Sequence, residues 1–157
     1  MPYQWMFFKS ALDAGLADFA YRIADTALTL WQNECAESYC CFEHFMIESR
    51  RGAGWHQFSG LSSPIVQWFS AYYRPGTLTP GFDAFVRHTD WAPDNSALNA
   101  TLDFTAAGRS TVLAVLQPGP KAVTASVPCT VTTRHDGLLE LSFALDAPCT
   151  VTISIHP

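Results

Sequence analysis

The chain has 157 residues, a formal net charge of −5, 48% hydrophobic residues and 15% charged residues. This length fits one ordinary domain or two small ones, and the composition can bury a core, which excludes a disordered chain. The acidic balance without a basic run argues against nucleic acid as a partner, and no apolar stretch approaches the ~20 residues of a membrane span.

The first half of the sequence has the apolar spacing of helices. A first helix is predicted over about 4–14, with Gly15 ending it from the C′ position. Asp18 suits the N-cap of a second helix that runs to about residue 32, and the short turn between them makes an antiparallel αα-hairpin. Residues 33–61 are predicted to be mostly loop. A third helix follows, with Ser62 or Ser63 as its cap, Pro64 in its first turn, and Pro75 and Gly76 at its end.

The second half has the alternation and turn signals of short strands. The candidate strands are 98–104, 110–116, 122–127, 129–134, 137–145 and 149–155. Turn formers between residues 90 and 97 place a boundary there, which divides the chain into 1–91 and 92–157. The predicted fold class is therefore α+β as a chain, with an N-terminal helical hairpin plus a third helix followed by a small antiparallel β-sandwich.

Cysteine usage favours a reduced chain. The five cysteines are an odd number without regular spacing, which argues against a secreted disulfide framework, although Cys129 and Cys149 would suit neighbouring strands. The aromatic start also lacks the pattern of a signal peptide, so a cytoplasmic protein is the simpler interpretation. The spacing of cysteines and histidines matches no zinc motif, and we predict neither a metal nor another cofactor.

One carboxylate lies among residues that are typical of carbohydrate sites. Glu43 is flanked by aromatic residues in 39–45, and the segment 54–64 that follows is rich in Gly, Trp, His and Gln. Aromatic faces stack on sugars, imidazole and amide groups bond hydroxyls, and a carboxylate moves a proton or holds a water. The nearby Glu34, Glu37 and Glu48 are interpreted as solvated.

The segments 3–8, 24–31 and 42–45 resemble the C-terminal part of the six-hairpin α/α-toroid glycoside hydrolases. The nearest relatives in this resemblance are the processing α-glucosidase I and mannosylglycerate hydrolase group, with trehalases more distant. The resemblance implies that residues 1–91 are the last helices of a toroid. It also implies that Glu43 is the general base, which deprotonates the water that attacks the anomeric carbon and so gives inversion.

The remaining site residues are predicted around this base. Sugar-binding roles fall to Trp5, His44, Trp55, His56 and Gln57, with Ser59 as a further donor behind them. The sequence departs from the glucosidase I pattern at Gly60, where that group often has Trp, and this leaves the sugar subsite open.

An inverting glycosidase also needs an acid, about 6.5–9.5 Å from the base. In the family the acid is an upstream aspartate, and no residue of this chain matches that motif. Asp13, Asp18 and Asp25 are interpreted as cap and solvent-face residues of the helical hairpin.

The leading prediction is the C-terminal portion of a glycoside hydrolase that cleaves α-glycosidic bonds, inactive alone. Its substrate would be an oligosaccharide or small glycoside, and its partner the remaining N-terminal part of the toroid. Three helices cannot bury this many aromatic residues well. This indicates a truncated reading frame or one piece of a split enzyme. Two alternatives stay open: a noncatalytic carbohydrate-binding or subunit-interaction module, and an inert fragment.

Overall fold

The computed structural model describes residues 2–58 and 63–157, so the predictions for Ser59, Gly60 and Ser62 lie outside the described residues. The helices are α1 (Pro2–Asp13), α2 (Ala17–Ser38) and α3 (Pro64–Tyr73). The strands are β1 (Phe42–Phe45), β2 (Gly52–His56), β3 (Thr77–Thr79), β4 (Ala84–Trp91), β5 (Leu98–Phe104), β6 (Gly108–Val115), β7 (Ala122–Ala125), β8 (Cys129–His135), β9 (Leu138–Leu145) and β10 (Cys149–His156). The coarse α+β class is confirmed.

Eight of the strands form two antiparallel four-stranded sheets that face each other in a sandwich-like arrangement. The inner sheet has the order β3-β6-β9-β8 and the outer sheet the order β4-β5-β10-β7. Alternate side chains of both sheets fill one shared core, because successive residues of a strand point to opposite faces. That core includes Leu98, Leu102, Val112, Leu141 and Ile155.

The three helices form a helical layer on the other face of the inner sheet. Leu113 and Val115 of β6 and Leu138 of β9 point into a second core, which contains the buried side chains of Phe8, Leu12, Trp68 and Tyr72. Because β6 is covered on both faces, its residues from Ser110 to Val115 are all buried. This explains the continuous apolar run in its sequence, where a half-exposed strand would alternate.

Two strands of these sheets, β3 and β4, lie before residue 92 and were not predicted. β3 pairs with β6, and β4 pairs with β5 in a register that shifts between Val86 and His88. The shift breaks the alternation that reveals a strand in a sequence, and β3 is too short to give a periodic signal. The sheets thus contain residues from both sides of the predicted boundary at 91, and that boundary stays a prediction.

The ends of the first two helices test the cap predictions. Gly15 has φ +69°, and the N–H of Leu16 donates to the carbonyl of Ala11 over 2.8 Å, so the predicted C′ glycine is confirmed. The N-cap prediction for Asp18 is wrong: Leu16 holds that position and Asp18 lies in the first turn. The same helix continues past residue 32 to Ser38, and Tyr39 then ends it with φ 53°.

The cysteines are free thiols in the structure. The suggestion that Cys129 and Cys149 occupy neighbouring strands is wrong, since β8 belongs to the inner sheet and β10 to the outer sheet. Among the described helices, none combines the length and the apolar character needed to cross a membrane.

Candidate functional site

The two sequence segments that suggested a carbohydrate site pair with each other as the β1–β2 hairpin. Phe42 lies opposite His56 and His44 lies opposite Ala53, so the register shifts between these pairs. One residue of β1, Glu43, therefore faces two residues of β2, Gly54 and Trp55. This is a β-bulge, and bulges are common next to active sites because they re-aim a side chain. The prediction that 33–61 is mostly loop is wrong for 33–38, which is helix, and for this hairpin.

The glycine of the bulge makes room for the carboxylate. Gly54 has φ +83°, a conformation that glycine adopts without strain. A Cβ on Gly54 would lie 2.6 Å from Oε2 of Glu43 and 2.9 Å from its Cβ, which is too close for either contact. The same Oε2 lies 3.5 Å from the backbone N–H of Trp55, which donates to it. Glu43 itself is half-buried.

Three of the five predicted sugar-binding residues lie on the same hairpin as Glu43. Trp55 is 72% exposed, with one ring edge near Phe58 at a centroid distance of 5.6 Å, so a large aromatic surface is open to solvent. His56 packs edge-on against Phe42 at 5.0 Å, and His44 is exposed. A carboxylate, an indole and two imidazoles thus lie on one short hairpin.

The other two predicted sugar-binding residues, Gln57 and Trp5, lie in different parts of the structure. Gln57 directly follows β2 with φ 57°, and its backbone N–H donates to Sγ of Cys40 over 3.3 Å. Trp5 is on α1, where its ring stacks on Phe8 at 5.0 Å and meets Trp68 at 6.0 Å. The ring contacts of Trp5 are therefore with the helical layer, and its sugar-binding role stays a prediction.

An ion pair that the sequence analysis missed joins the hairpin to α2. Glu34 is only 3% exposed, so its interpretation as a solvated residue is wrong. Its Oε2 accepts from Nε of Arg51 over 2.8 Å and from the N–H of Gly52 over 2.8 Å, and its Oε1 accepts from Nη2 of Arg51 over 3.2 Å. Glu37 adds a second carboxylate 2.8 Å from Nη1 of Arg51. Glu34 continues the buried stripe of Ala20, Ala24 and Ala27 at helical spacing, and that spacing was the available signal.

We predict that the ion pair between Glu34 and Arg51, which anchors the hairpin to α2, persists into strong acid. The hydrogen bonds from Arg51 and Gly52 lower the pKa of Glu34 from 4.5 to about 2. Since the pKa is depressed in the folded state, the carboxylate's contribution to stability is complete above pH 4.5 and is lost as the pH falls through about 2. The amide proton shift of Gly52, followed by NMR, should titrate with this low midpoint. A Glu34→Gln variant should give a flat curve, and a midpoint near 4.5 in the unmodified chain would contradict the anchor.

A second prediction concerns the bulge glycine. Gly54→Ala should destabilise the β1–β2 hairpin by more than the roughly 1–2 kcal/mol of backbone strain that a left-handed L-residue costs, because the new methyl also displaces Glu43. The matched control is Gly119→Ala, since Gly119 also has a positive φ, +122°, but its added Cβ would meet only Nζ of Lys121, at 3.8 Å. Amide hydrogen exchange of residues 42–56 should accelerate in the first variant only. Equal exchange in both variants would mean that Gly54 makes no special room for Glu43.

Glu34 and Asp18 are poor candidates for a catalytic acid, which needs a raised pKa. The pKa of Glu34 is strongly lowered, and Arg134 lowers the pKa of Asp18 through a hydrogen bond and its charge. Asp13 accepts the N–H groups of Phe82 and Asp83 over 2.8 and 3.0 Å and so fastens α1 to the start of β4. Among the described residues, no group of three His, Cys, Asp or Glu side chains could hold a metal ion.

Two grooves lie away from the hairpin. The larger, 540 Å³, runs between α2 and α3 and is mostly apolar, with Leu28, Trp31, Ile65, Val66, Phe69 and Tyr73 in its walls. The smaller, 310 Å³, lies on the solvent face of the outer sheet, and its polar lining includes His88, Asn99, Thr101, Thr124, Ser126, Thr152 and Ser154.

Comparison with known proteins adds no relative: no family model, curated protein or solved structure matches this chain. The resemblance to six-hairpin glycoside hydrolases rests on the residues of the sequence and stays a prediction.

Proposed function

We propose that this chain is the C-terminal portion of a glycoside hydrolase that cleaves α-glycosidic bonds with inversion, and that Glu43 is its general base. The observation that carries the proposal is the bulge, which sets Glu43 against the exposed Trp55 on one hairpin. The half-buried carboxylate would then lie beside an indole suited to stacking on a sugar ring. The five free thiols support a reducing, cytoplasmic setting.

In the proposed reaction, Glu43 orients a water and takes its proton as the oxygen attacks the anomeric carbon. The backbone N–H of Trp55, which donates to Oε2 of Glu43, would hold the carboxylate in one orientation. Oε1 of Glu43 would accept the proton. The exposed ring of Trp55 would stack on the substrate, while His44, His56 and Gln57 would bond its hydroxyls. An oligosaccharide or a small glycoside fits such an open surface.

The general acid would come from a partner, the remaining N-terminal part of an α/α toroid. Support comes from apolar side chains that the helical layer leaves exposed, among them Tyr3 at 75%, Phe7 at 64% and Val66 at 68%. Tyr3 and Phe7 are one helical turn apart on α1, and Val66 borders the groove between α2 and α3. Exposed apolar patches such as Tyr3 with Phe7 commonly mark surfaces that another part of a protein covers.

A noncatalytic carbohydrate-binding or subunit-interaction module is the second candidate. The polar groove of the outer sheet favours it, since hydroxyl, amide and imidazole groups of Thr101, Asn99 and His88 line one concave surface. Such a module would bind sugars without Glu43. Loss of binding in Asn99→Ala with no change in Glu43→Gln would therefore favour this candidate over the hydrolase.

The proposal is tested by hydrolysis of a panel of α-glucosides and of mannosylglycerate. The chain is assayed alone and mixed with a polypeptide that supplies the remaining toroid helices. We expect turnover only in the mixture. Turnover by the chain alone would contradict the assignment of the acid to a partner, and absence of turnover in every combination would favour the binding module or an inert fragment.

A further inference from the structure

Three thiols lie at the junction between α2 and the β1–β2 hairpin. Tyr39, the left-handed residue that ends α2, donates its N–H to the carbonyl of Cys35 over 3.0 Å. The residue four positions before Tyr39 and the residue directly after it are both cysteines. Cys35 and Cys40 hold these two positions, and Sγ of Cys35 lies 3.2 Å from the carbonyl oxygen of Cys40.

The thiol of Cys40 also contacts the other end of the hairpin. Its Sγ accepts the backbone N–H of Gln57 over 3.3 Å, and the N–H of Phe58 donates to the carbonyl of Cys41 over 3.3 Å. Gln57 immediately follows His56, the last residue of β2. The position of this sulfur is therefore linked to the strand that carries Gly54 and Trp55.

We propose that Cys35 and Cys40 form a reversible disulfide when the chain meets a low-molecular-weight disulfide such as oxidised glutathione, and that the bond releases the Gln57 end of the hairpin. The new bond would turn Sγ of Cys40 toward α2 and away from the N–H of Gln57. The hairpin would then keep its Arg51 anchor to Glu34 and the Phe58 bond to the Cys41 carbonyl but lose its attachment at the Cys40 sulfur.

The exchange proceeds in two balanced steps. The thiolate of Cys40 attacks one sulfur of oxidised glutathione, which forms a mixed disulfide and releases one glutathione thiolate that takes up a proton. Cys35 then loses its proton and attacks the Cys40 sulfur, which releases the second glutathione. Two protein thiols are oxidised and one glutathione disulfide is reduced. Burial, with the neighbouring thiols and Glu34, raises the pKa of Cys35, so little of it is thiolate, and its attack depends on the intramolecular position that the second step gives it.

Pairing of Cys40 with Cys41 is less favourable, and the variants below separate a Cys35–Cys40 bond from a Cys35–Cys41 bond, since the Cys41 thiol also acts on Cys35. Cys40 and Cys41 are adjacent, and their Cα atoms are about 3.8 Å apart, which is shorter than the usual 4.4–6.8 Å of a disulfide. Cys129 and Cys149 lie on β8 and β10, not at this junction. The inference does not depend on the proposed hydrolase function, because its tests measure bonds and exchange rates rather than turnover.

The bond is tested on the full chain after incubation with oxidised glutathione. Alkylation and intact mass should show that two of the five thiols have disappeared. A protease that cuts after Glu places Cys35 on the peptide 35–37 and Cys40 on the peptide 38–43, so the disulfide appears as a linked pair that separates on reduction. The pair should persist in Cys41→Ser and be absent in Cys35→Ser and Cys40→Ser. Its absence from the unmodified chain, or its persistence in Cys40→Ser, would overturn the assignment.

The effect on the hairpin needs a second readout. In the oxidised chain the amide of Gln57 should exchange faster than in the reduced chain, whereas the amide of Gly52, held by Glu34, should not change. In Cys35→Ser, glutathione treatment followed by removal of mixed disulfides should leave both rates unchanged. Equal exchange of Gln57 in the oxidised and reduced chains would overturn the proposed release.

Discussion

Hydrolysis by the mixed proteins is expected to fall by about 10²–10⁴-fold in kcat when Glu43 is replaced with Gln, which is the range typical of a lost general base. Gln keeps the size and the hydrogen-bonding capacity of the side chain but cannot take a proton from water. Substrate binding should change little, because the variant leaves Trp55, His44 and His56 in place. The measurement is steady-state hydrolysis of the best substrate of the panel, with kcat and KM determined separately.

Glu48→Gln is the matched control. Glu48 lies in the exposed turn of the same hairpin, so the variant removes the same charge from the same element without touching the bulge. It should leave kcat unchanged. Equal losses in the two variants would show that hairpin charge, and not proton transfer by Glu43, affects turnover.

The second large effect is expected on stability, at the interface between the helical layer and the inner sheet. Arg134→Met should lower the free energy of unfolding by about 3–5 kcal/mol, the usual cost of leaving one member of a buried ion pair alone. Glu140 is 4% exposed, and Arg134 donates to both of its carboxylate oxygens. The guanidinium also reaches Asp18 on α2 and lies 4.5 Å from the ring centroid of Tyr21. Met fills similar space but leaves a buried carboxylate without its cation.

Arg87→Met provides the control for this stability change. Arg87 pairs with Asp103 on the outer sheet, but its side chain is 68% exposed, so the loss should be about 1 kcal/mol or less. Adding Glu140→Leu to Arg134→Met should restore part of the lost stability, since the unpaired carboxylate is then gone. Chemical denaturation of all four chains gives the comparison. Equal losses for the Arg87 and Arg134 variants would contradict a buried pair at this interface.

Local features of the fold could be predicted from the sequence. Gly15 was identified because a glycine after an apolar-periodic run is typical of a helix end, and the strands β5 and β10 alternate clearly. The end of α2 was misplaced because Glu34 looked like a surface residue. Its burial depends on Arg51, which is 17 residues away and lies across a hairpin turn.

Only part of the candidate site could be predicted from the sequence. The residue types around Glu43 suggested carbohydrate chemistry, but a bulge depends on the register of two strands, and the sequence does not show that Glu43 faces both Gly54 and Trp55. Other contacts join residues that are 69 or more positions apart in the sequence. Asp13 accepts the N–H groups of Phe82 and Asp83, and Arg134 donates to Asp18. Such contacts follow from topology, which local patterns do not determine.

The central claim is that Glu43 activates a water on the face of the sugar opposite the leaving group. Proton NMR of the first product released from an α-glucoside by the mixed proteins tests it most directly. Inversion predicts that β-glucose appears first and then equilibrates with the α-anomer. α-Glucose as the first product would contradict the assignment of Glu43 as the general base of an inverting hydrolase.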